Sequence, residues 1–236
     1  MKTSIAMLAL LLSIQAVPAA FAAEPGDKAR SLFVQQLKKP AAKVNNGVSY
    51  WLELNRDGKN SRVSNKHQFV DGDQMSLHVK TNFDGYVYVL QMKGSKNDKA
   101  VLFPSKAVHS PKVKANTAID LPGGKERFEF DETPGLETIR IIVSRKPIDP
   151  QKELDAGGAV TIAAPGSQAT DSVPQGTLVS IMLAPNATVQ TAVASKSMFI
   201  APAKTPEAEG EVTVVSSDVN KPLTVDLALT HGKAGG

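Results

Sequence analysis

The chain has 236 residues, 27 of them basic and 23 acidic, for a formal net charge of +4, and it contains no cysteine. A chain of this length holds one large or two small domains. With no cysteine, a disulfide framework, a thiol nucleophile and a lipid-modified N-terminal cysteine are all excluded, so the fold must be held by burial alone.

At the N-terminus Lys2 is followed by an apolar run from Ile5 to Leu12, then Pro18 and the small-residue pattern Ala20-Phe21-Ala22. This is the pattern of a secretory signal peptide over residues 1–22, with the mature chain starting at Ala23. The run is shorter than the ~18 apolar residues of a transmembrane candidate, and no later stretch reaches that length. The expectation is therefore a soluble periplasmic or secreted protein with no transmembrane segment. Charge is unevenly spread: residues 24–146 carry 21 basic and 14 acidic side chains, a net of +7, and residues 147–236 carry 5 and 9, a net of −4. A basic front part in an exported chain suggests attraction to anionic polymers or lipid head groups of the envelope, with simple solubility as the alternative.

Residues 23–47 read as an N-terminal helix and linker. From Asp27 to Lys39 the residues Ala29, Leu32, Phe33, Gln36 and Leu37 recur at helical spacing. Asp27 suits the start, Lys38-Lys39 suit the end and Pro40 stops the helix. Ala41 to Gly47 reads as linker. Residues 48–147 read as a β-domain. Val48 to Asn55 places Tyr50, Leu52 and Leu54 on one face and the single tryptophan, Trp51, on the other, and Asp57-Gly58 turns the chain. Arg62 to Val70 is a polar, edge-like strand. Met75, Leu77 and Val79 then alternate with Ser76, His78 and Lys80, the pattern of a half-buried strand. From Tyr86 to Met92 both parities are apolar, which predicts a central strand covered on both faces. Asn82, Asp84 and Gly85 before it, and Gly94 to Asp98 after it, predict antiparallel hairpins. Short strands follow at Ala100–Phe103, Ala118–Leu121 and around Phe128 and Phe130, and a longer one runs from Glu137 to Arg145, with Ile139, Ile141 and Val143 on one face.

Residues 148–221 change to an Ala/Pro/Ser/Thr-rich insertion, in which 149–174 and 201–211 read as mobile. Weak strands are predicted at Thr177–Leu183, Ser197–Ile200 and Glu211–Val215. Residues 222–231 hold a clear strand, with Leu223, Val225, Leu227 and Leu229 alternating with polar residues, and 232–236 form a flexible tail. This strand is expected to return to the main sheet beside Tyr50 to Leu54 and close the domain. The fold class is all-β: an antiparallel β-sandwich with one short N-terminal helix and a long, partly disordered insertion before the last strand.

The order of several short runs resembles a known family. F-V-D-G-D-Q-M-S-L-H-V at Phe69–Val79, D-G-Y-V-Y-V-L at Asp84–Leu90, L-F-P at Leu102–Pro104, L-P at Leu121-Pro122, P-G-L-E-T-I at Pro134–Ile139 and V-D-L-A-L-T-H at Val225–His231 look like the bacterial domain of unknown function 4384 family. The resemblance covers about Tyr50 to Pro147, with a looser match at the last strand. It implies an exported β-sandwich-like domain, found alone or beside kinase-like, caspase-like or repeat modules, with no agreed enzymatic activity and so no catalytic residues to carry over.

Side chains that could carry chemistry are sparse. His67, His78, His109 and His231 lack the close ligand pair of a zinc site, and a G-x-S-x-G elbow is absent. Asp71, Asp73, Asn82 and Asp84 could offer oxygens to calcium, but turns need the same residues. No metal, cofactor or catalytic residue is therefore expected. Tyr50, Tyr86 and Tyr88 read as core, whereas Trp51 lies either under the N-terminal helix or exposed as a contact residue. Lys93, Lys96 and Lys99 in one turn and Lys106, Lys112 and Lys114 in the next loop could join as one cationic rim for anionic polymer or lipid head groups. The lysines lack interleaved aromatics, so nucleic acid is not expected as a partner. The leading functional expectation is a non-enzymatic exported domain of the bacterial cell envelope that acts in protein interaction or as an accessory module. The alternatives are binding of anionic polymer or carbohydrate, and a hydrolase with an unrecognised site.

Overall fold

The computed structural model of the chain describes residues 25–106, 108–158, 198–202 and 210–233. The expected signal peptide, the expected strand Thr177–Leu183 and most of the insertion lie outside these residues. What is described is an all-β sandwich of two sheets with two short helices.

The first sheet is organised on β1 (Asn46–Arg56) and β4 (Gln74–Thr81), paired antiparallel in the register Tyr50↔Val79, Leu52↔Leu77 and Leu54↔Met75. These residues share the inward face and are buried, as their alternation requires. β2 (Lys59–Val63) folds back on the end of β1 as a hairpin. β12 (Val212–Ser216) pairs with the start of β1, and β11 (Met198–Pro202) pairs with β12. Beyond β4 lie β8 (Ala118–Leu121) and β9 (Phe128–Glu129).

The second sheet has the order β3 (Gln68–Val70), β13 (Leu223–Gly232), β10 (Gly135–Ser144), β5 (Gly85–Lys93), β6 (Ala100–Phe103), with β7 (Lys112–Val113) also on β5. Its inward residues, among them Val87, Val89, Ile139, Ile141, Val225 and Leu227, join those of β1 and β4 in one core. Each such side chain stabilises the fold by about 1.5–3 kcal/mol when fully buried. The outer face of this sheet is covered too. α2 (Pro150–Ala156) lays Leu154 on Tyr88, Leu90, Met92 and Ile142, which accounts for the apolar residues of both parities in β5.

α1 (Pro25–Lys38) packs Ala29 and Phe33 on Val215 of β12, on the outer face of the first sheet, with Leu32 and Leu37 at the margin. Gly47 makes this approach possible: a Cβ there would lie 2.7 Å from Asn82 Nδ2 and 2.8 Å from Phe33 Cδ2.

Several expectations need correction. Asn82 to Gly85 is not a hairpin, because β4 and β5 belong to different sheets. Phe83 is buried in the shared core, Thr81 Oγ1 donates to the Phe83 carbonyl, and Asn82 bonds to Gly47 rather than to its own turn, so the chain crosses between sheets. Arg62 to Val70 is two strands, β2 and β3, one in each sheet. The linker ends earlier than expected, since Asn46 and Gly47 already belong to β1. The stretch after Asp149 begins with a helix: Asp149 Oδ1 accepts from Gln151 N at 3.0 Å, Pro150 starts α2, and Gly157 ends it in the left-handed conformation. Of the weak strands, those at Ser197–Ile200 and Glu211–Val215 are present as β11 and β12.

The closing strand is also placed differently. β13 pairs with β10 and, in parallel, with β3, and it is β12 that lies beside Asn46–Tyr50. Two features select this arrangement. β12 occupies the available edge of β1, and Asp226 on the outer face of β13 meets Arg140 directly across the ladder, with Nε–Oδ1 2.7 Å and Nη2–Oδ2 3.0 Å. Both side chains are buried.

A second ion pair pins β1 to the β3–β4 turn. Arg56 meets both oxygens of Asp73 at 2.6 Å, and Val70 N donates to Asp73 Oδ2 at 2.8 Å. Burial opposes ionisation of Asp73, yet the Arg56 and Val70 hydrogen bonds prevail and hold its pKa below the ordinary carboxylate value. For nearby His67, burial and then the Arg56 charge lower the pKa, against the opposing pull of Asp73.

Two outcomes follow from these pairs. Asp226→Ala removes the carboxylate that pairs with the buried Arg140 guanidinium and is expected to lower unfolding free energy by about 3 kcal/mol, whereas Arg140→Met/Asp226→Leu should recover most of that loss. A urea midpoint for the single variant equal to that of the native chain would contradict this. For acid, both native pKa values lie below their unfolded ones, so stability falls as pH falls. The His67 contribution is lost as pH drops below about 6.5, and that of Asp73 below about 3.9. Urea midpoints measured from pH 8 to pH 3 should show Asp73→Asn less stable than the native chain at pH 7, with the gap narrowing at the acid end.

Candidate binding surfaces

The two outer faces are unequal. α2 lies on the second sheet, and α1 covers only the β11–β12 side of the first. The rest of the first sheet's outer face, formed by β1, β2, β4 and β8, presents Trp51 at its centre. Trp51 is half-buried and fixed from two sides. His78, its cross-strand neighbour, stacks on it with ring centroids 4.9 Å apart and planes 4° off parallel, and the Arg62 guanidinium lies 4.6 Å from the ring centroid. Trp51 thus does not join the apolar cluster under α1, and it is half-buried between His78 and Arg62 rather than exposed. The ring is rigid, amphipathic and flanked by charge, properties shared by aromatic anchors at protein interfaces.

His78 also forms the nearest approach to catalytic geometry. Its Nδ1 lies 2.6 Å from Asp120 Oδ1, while Nε2 lies 4.0 Å from Glu53 Oε2. A hydrolytic triad needs a hydroxyl on that second nitrogen. Among the described residues Nε2 has no hydrogen-bond partner, and the nearby Ser49 hydroxyl bonds Thr213 Oγ1 at 2.7 Å. The oxygens considered for calcium do not converge either, because Asp73 and Asn82 flank opposite ends of β4 and Asp84 pairs with Lys114. Among the described residues no three His, Asp or Glu side chains gather as a metal site.

The six lysines are not brought together. Lys112 sits opposite Tyr86 at the start of β5, and Lys93 ends that strand. At ~3.3 Å per residue these positions are about 23 Å apart. Lys106 lies in the turn closed by Ser105 and Val108, and Lys99 lies beside Gly157 at the end of α2. Among the described residues, two of the six are paired. Lys114 meets Asp84 at 2.9 Å and Lys96 meets Asp131 at 2.6 Å, and these hydrogen bonds raise both lysine pKa values. The Lys96 bond, followed by the Thr133 N–H, holds Asp131 below the ordinary carboxylate range.

Lys96 belongs to a different feature, a cavity of about 270 Å³ between the sheets, bounded by β4 and β9 on one side and β5, β6, β10 and β13 on the other. Its lining combines an apolar floor with Asp98, Glu129, Asp131 and Glu137. No single stretch of sequence announces it, since its residues come from both sheets and meet only through the β4–β5 crossing. Behind Phe130, which lines it, the His231 ring is buried, 5.3 Å away between centroids, and among the described residues neither nitrogen has a hydrogen-bond partner. Tyr50 and Tyr88 are core residues as expected, with Tyr88 Oη accepting from Ile148 N.

Residues 68–147 match a family model described as Domain of unknown function (DUF4384). No curated protein and no solved structure matches the chain. The matched segment runs from β3 to the end of β10 and the residues just after it, and so includes β4, the sheet crossing and the hairpin of β5 with β6. The L-F-P and L-P runs within it contain cis peptide bonds at Phe103-Pro104 and Leu121-Pro122. The resemblance seen in the sequence therefore stands over this stretch, where residues 68–147 are similar to the domain of unknown function 4384.

Proposed function

We propose that the chain is a non-enzymatic exported domain of the bacterial cell envelope, working as a protein-interaction or accessory module through the outer face of the first sheet. The observation that carries this reading is Trp51, held between His78 and Arg62 at the centre of a sheet face that neither α1 nor α2 covers. A tryptophan fixed in this way offers a large contact area with little conformational entropy left to lose on binding. The surrounding Glu53, Arg62, Lys80 and Asp120 supply a polar rim of mixed sign. The signal-like residues 1–22 support export, and the absence of transmembrane-length helices among the described residues is compatible with it.

The test is photo-crosslinking in the producing bacterium, with a photoreactive residue at Glu53 and, as control, at Lys125. A discrete adduct from position 53, found in the periplasmic or secreted fraction and absent from position 125, is expected. Trp51→Ala should reduce it about tenfold or more, since loss of a central aromatic anchor costs about 2 kcal/mol or more. Equal adducts with and without Trp51, or none at position 53, would overturn the reading.

A further inference from the structure

The cavity between the sheets has two chemically distinct parts. Its floor is apolar, with Met75, Leu102, Phe128, Phe130, Ile139 and Leu229. Its rim sets four carboxylates against one cation, Lys96, in a chain whose formal charge is +4 overall. The rim is thus locally acidic on a basic protein.

Glu137 is the member that matters most. Its Oε1 accepts from Ser95 N at 2.9 Å and Ser95 Oγ at 2.7 Å, and its Oε2 accepts from Gln91 Nε2 at 3.0 Å. Every one of those donors is neutral. Among the described residues the lysine of the rim pairs with Asp131, and no cation pairs with Glu137. A half-buried carboxylate whose two oxygens are oriented but not neutralised is a preorganised seat for an ammonium or guanidinium group. The Lys96–Asp131 contact joins the two sides of the mouth through exposed side chains, so it opposes entry only weakly.

We propose that this cavity is a docking pocket for a short extended segment of a partner protein, in which an apolar side chain is flanked by lysine or arginine. The apolar side chain enters the floor and the cation meets Glu137. Charge complementarity selects a basic segment over an acidic one. Size points the same way, because about 270 Å³ lies below the ~300–1,000 Å³ of small-molecule sites and suits one side chain rather than a cofactor. The pocket is separate from the Trp51 face, so either can fail without the other.

The experiment uses the mature full chain and a labelled peptide, Ser-Lys-Leu-Lys-Ser, read by fluorescence anisotropy. Saturable binding is expected. Ser-Glu-Leu-Glu-Ser and Ser-Lys-Ser-Lys-Ser should bind at least tenfold more weakly, and Glu137→Gln should weaken the lysine peptide at least tenfold, the loss expected when a charge-assisted hydrogen bond worth about 1.5–3 kcal/mol is removed. Lys96→Gln should bind at least as tightly as the native chain. Methyl resonances of Met75, Leu102, Ile139 and Leu229 should shift on peptide addition, a readout that stands even if the Glu137 variant fails to fold. The proposal is overturned if neither the native chain nor Lys96→Gln binds, if the acidic peptide binds equally, or if a folded Glu137→Gln variant binds as the native chain does. It is likewise overturned if the methyl shifts lie elsewhere, or if phenethylammonium binds while the peptide does not, which would make the pocket a site for a free amine.

Discussion

A set of buried carboxamides around Asn82 ties the outlying parts of the molecule to the sandwich. Asn82 is inaccessible to solvent; its Oδ1 accepts from Gly47 N at 2.7 Å, and its Nδ2 donates to Asn45 Oδ1 at 2.7 Å and to the Phe33 carbonyl at 3.3 Å. The network continues outward. Gln36 Oε1 accepts from Val44 N and Asn45 N, Asn45 Nδ2 donates to the Leu32 carbonyl, and Arg145 donates to Asn46 Oδ1 and to the Asn45 carbonyl. Asn46 Nδ2 in turn reaches the carbonyl of Lys221, ahead of the last strand. The helix, the start of β1, the sheet crossing and the end of β10 therefore share one set of hydrogen bonds. Each buried group left without a partner would cost about 1–3 kcal/mol, so the set is held together or lost together.

This network decides which surfaces stay open. By fixing the end of α1 against Gly47 and β12, it keeps the helix on one side of the first sheet and leaves Trp51 uncovered by either helix. By holding the crossing at Asn82 and Phe83, it sends β5 into the opposite sheet, and only then can Gln91, Ser95 and Glu137 face Phe128 and Asp131 across a cavity. Both candidate surfaces are products of the same local substitution of a side-chain hydrogen bond for an ordinary turn.

Much of the architecture was legible in the sequence because alternation reports burial directly. Met75, Leu77 and Val79, and again Leu223 to Leu229, face the core as their period of two requires. The double-sided apolar run of β5 announces a covered strand, and the cover is α2. Asp149-Pro150 and Gly157 carry the helix signals, inside a segment whose Ala/Pro/Ser/Thr-rich composition resembles a mobile linker. Strand partnership was less legible. Period-two patterning shows which side chains point inward and says nothing of which neighbour they adjoin, so the place of β13 depended on a long-range pair, Arg140 with Asp226. Asn82, Asp84 and Gly85 look like a turn in sequence because the same carboxamide can bond locally or across the fold. The lysines failed to form one rim for a related reason: with Lys112 opposite Tyr86, the strand that joins the two groups also holds them apart. Trp51 was recognisable as unusual, whereas Glu137 gave no sign, since its role depends on Ser95 and Gln91 brought to it by pairing in the second sheet.

Asn82 couples α1 to the sandwich. Amide hydrogen exchange of Asn82→Leu, a variant of similar size that cannot bond Gly47, Asn45 or Phe33, tests it most directly. Amides of α1 and of the first residues of β1 are expected to lose protection together while those of β10 and β13 stay protected. Protection in α1 equal to that of the native chain would contradict it.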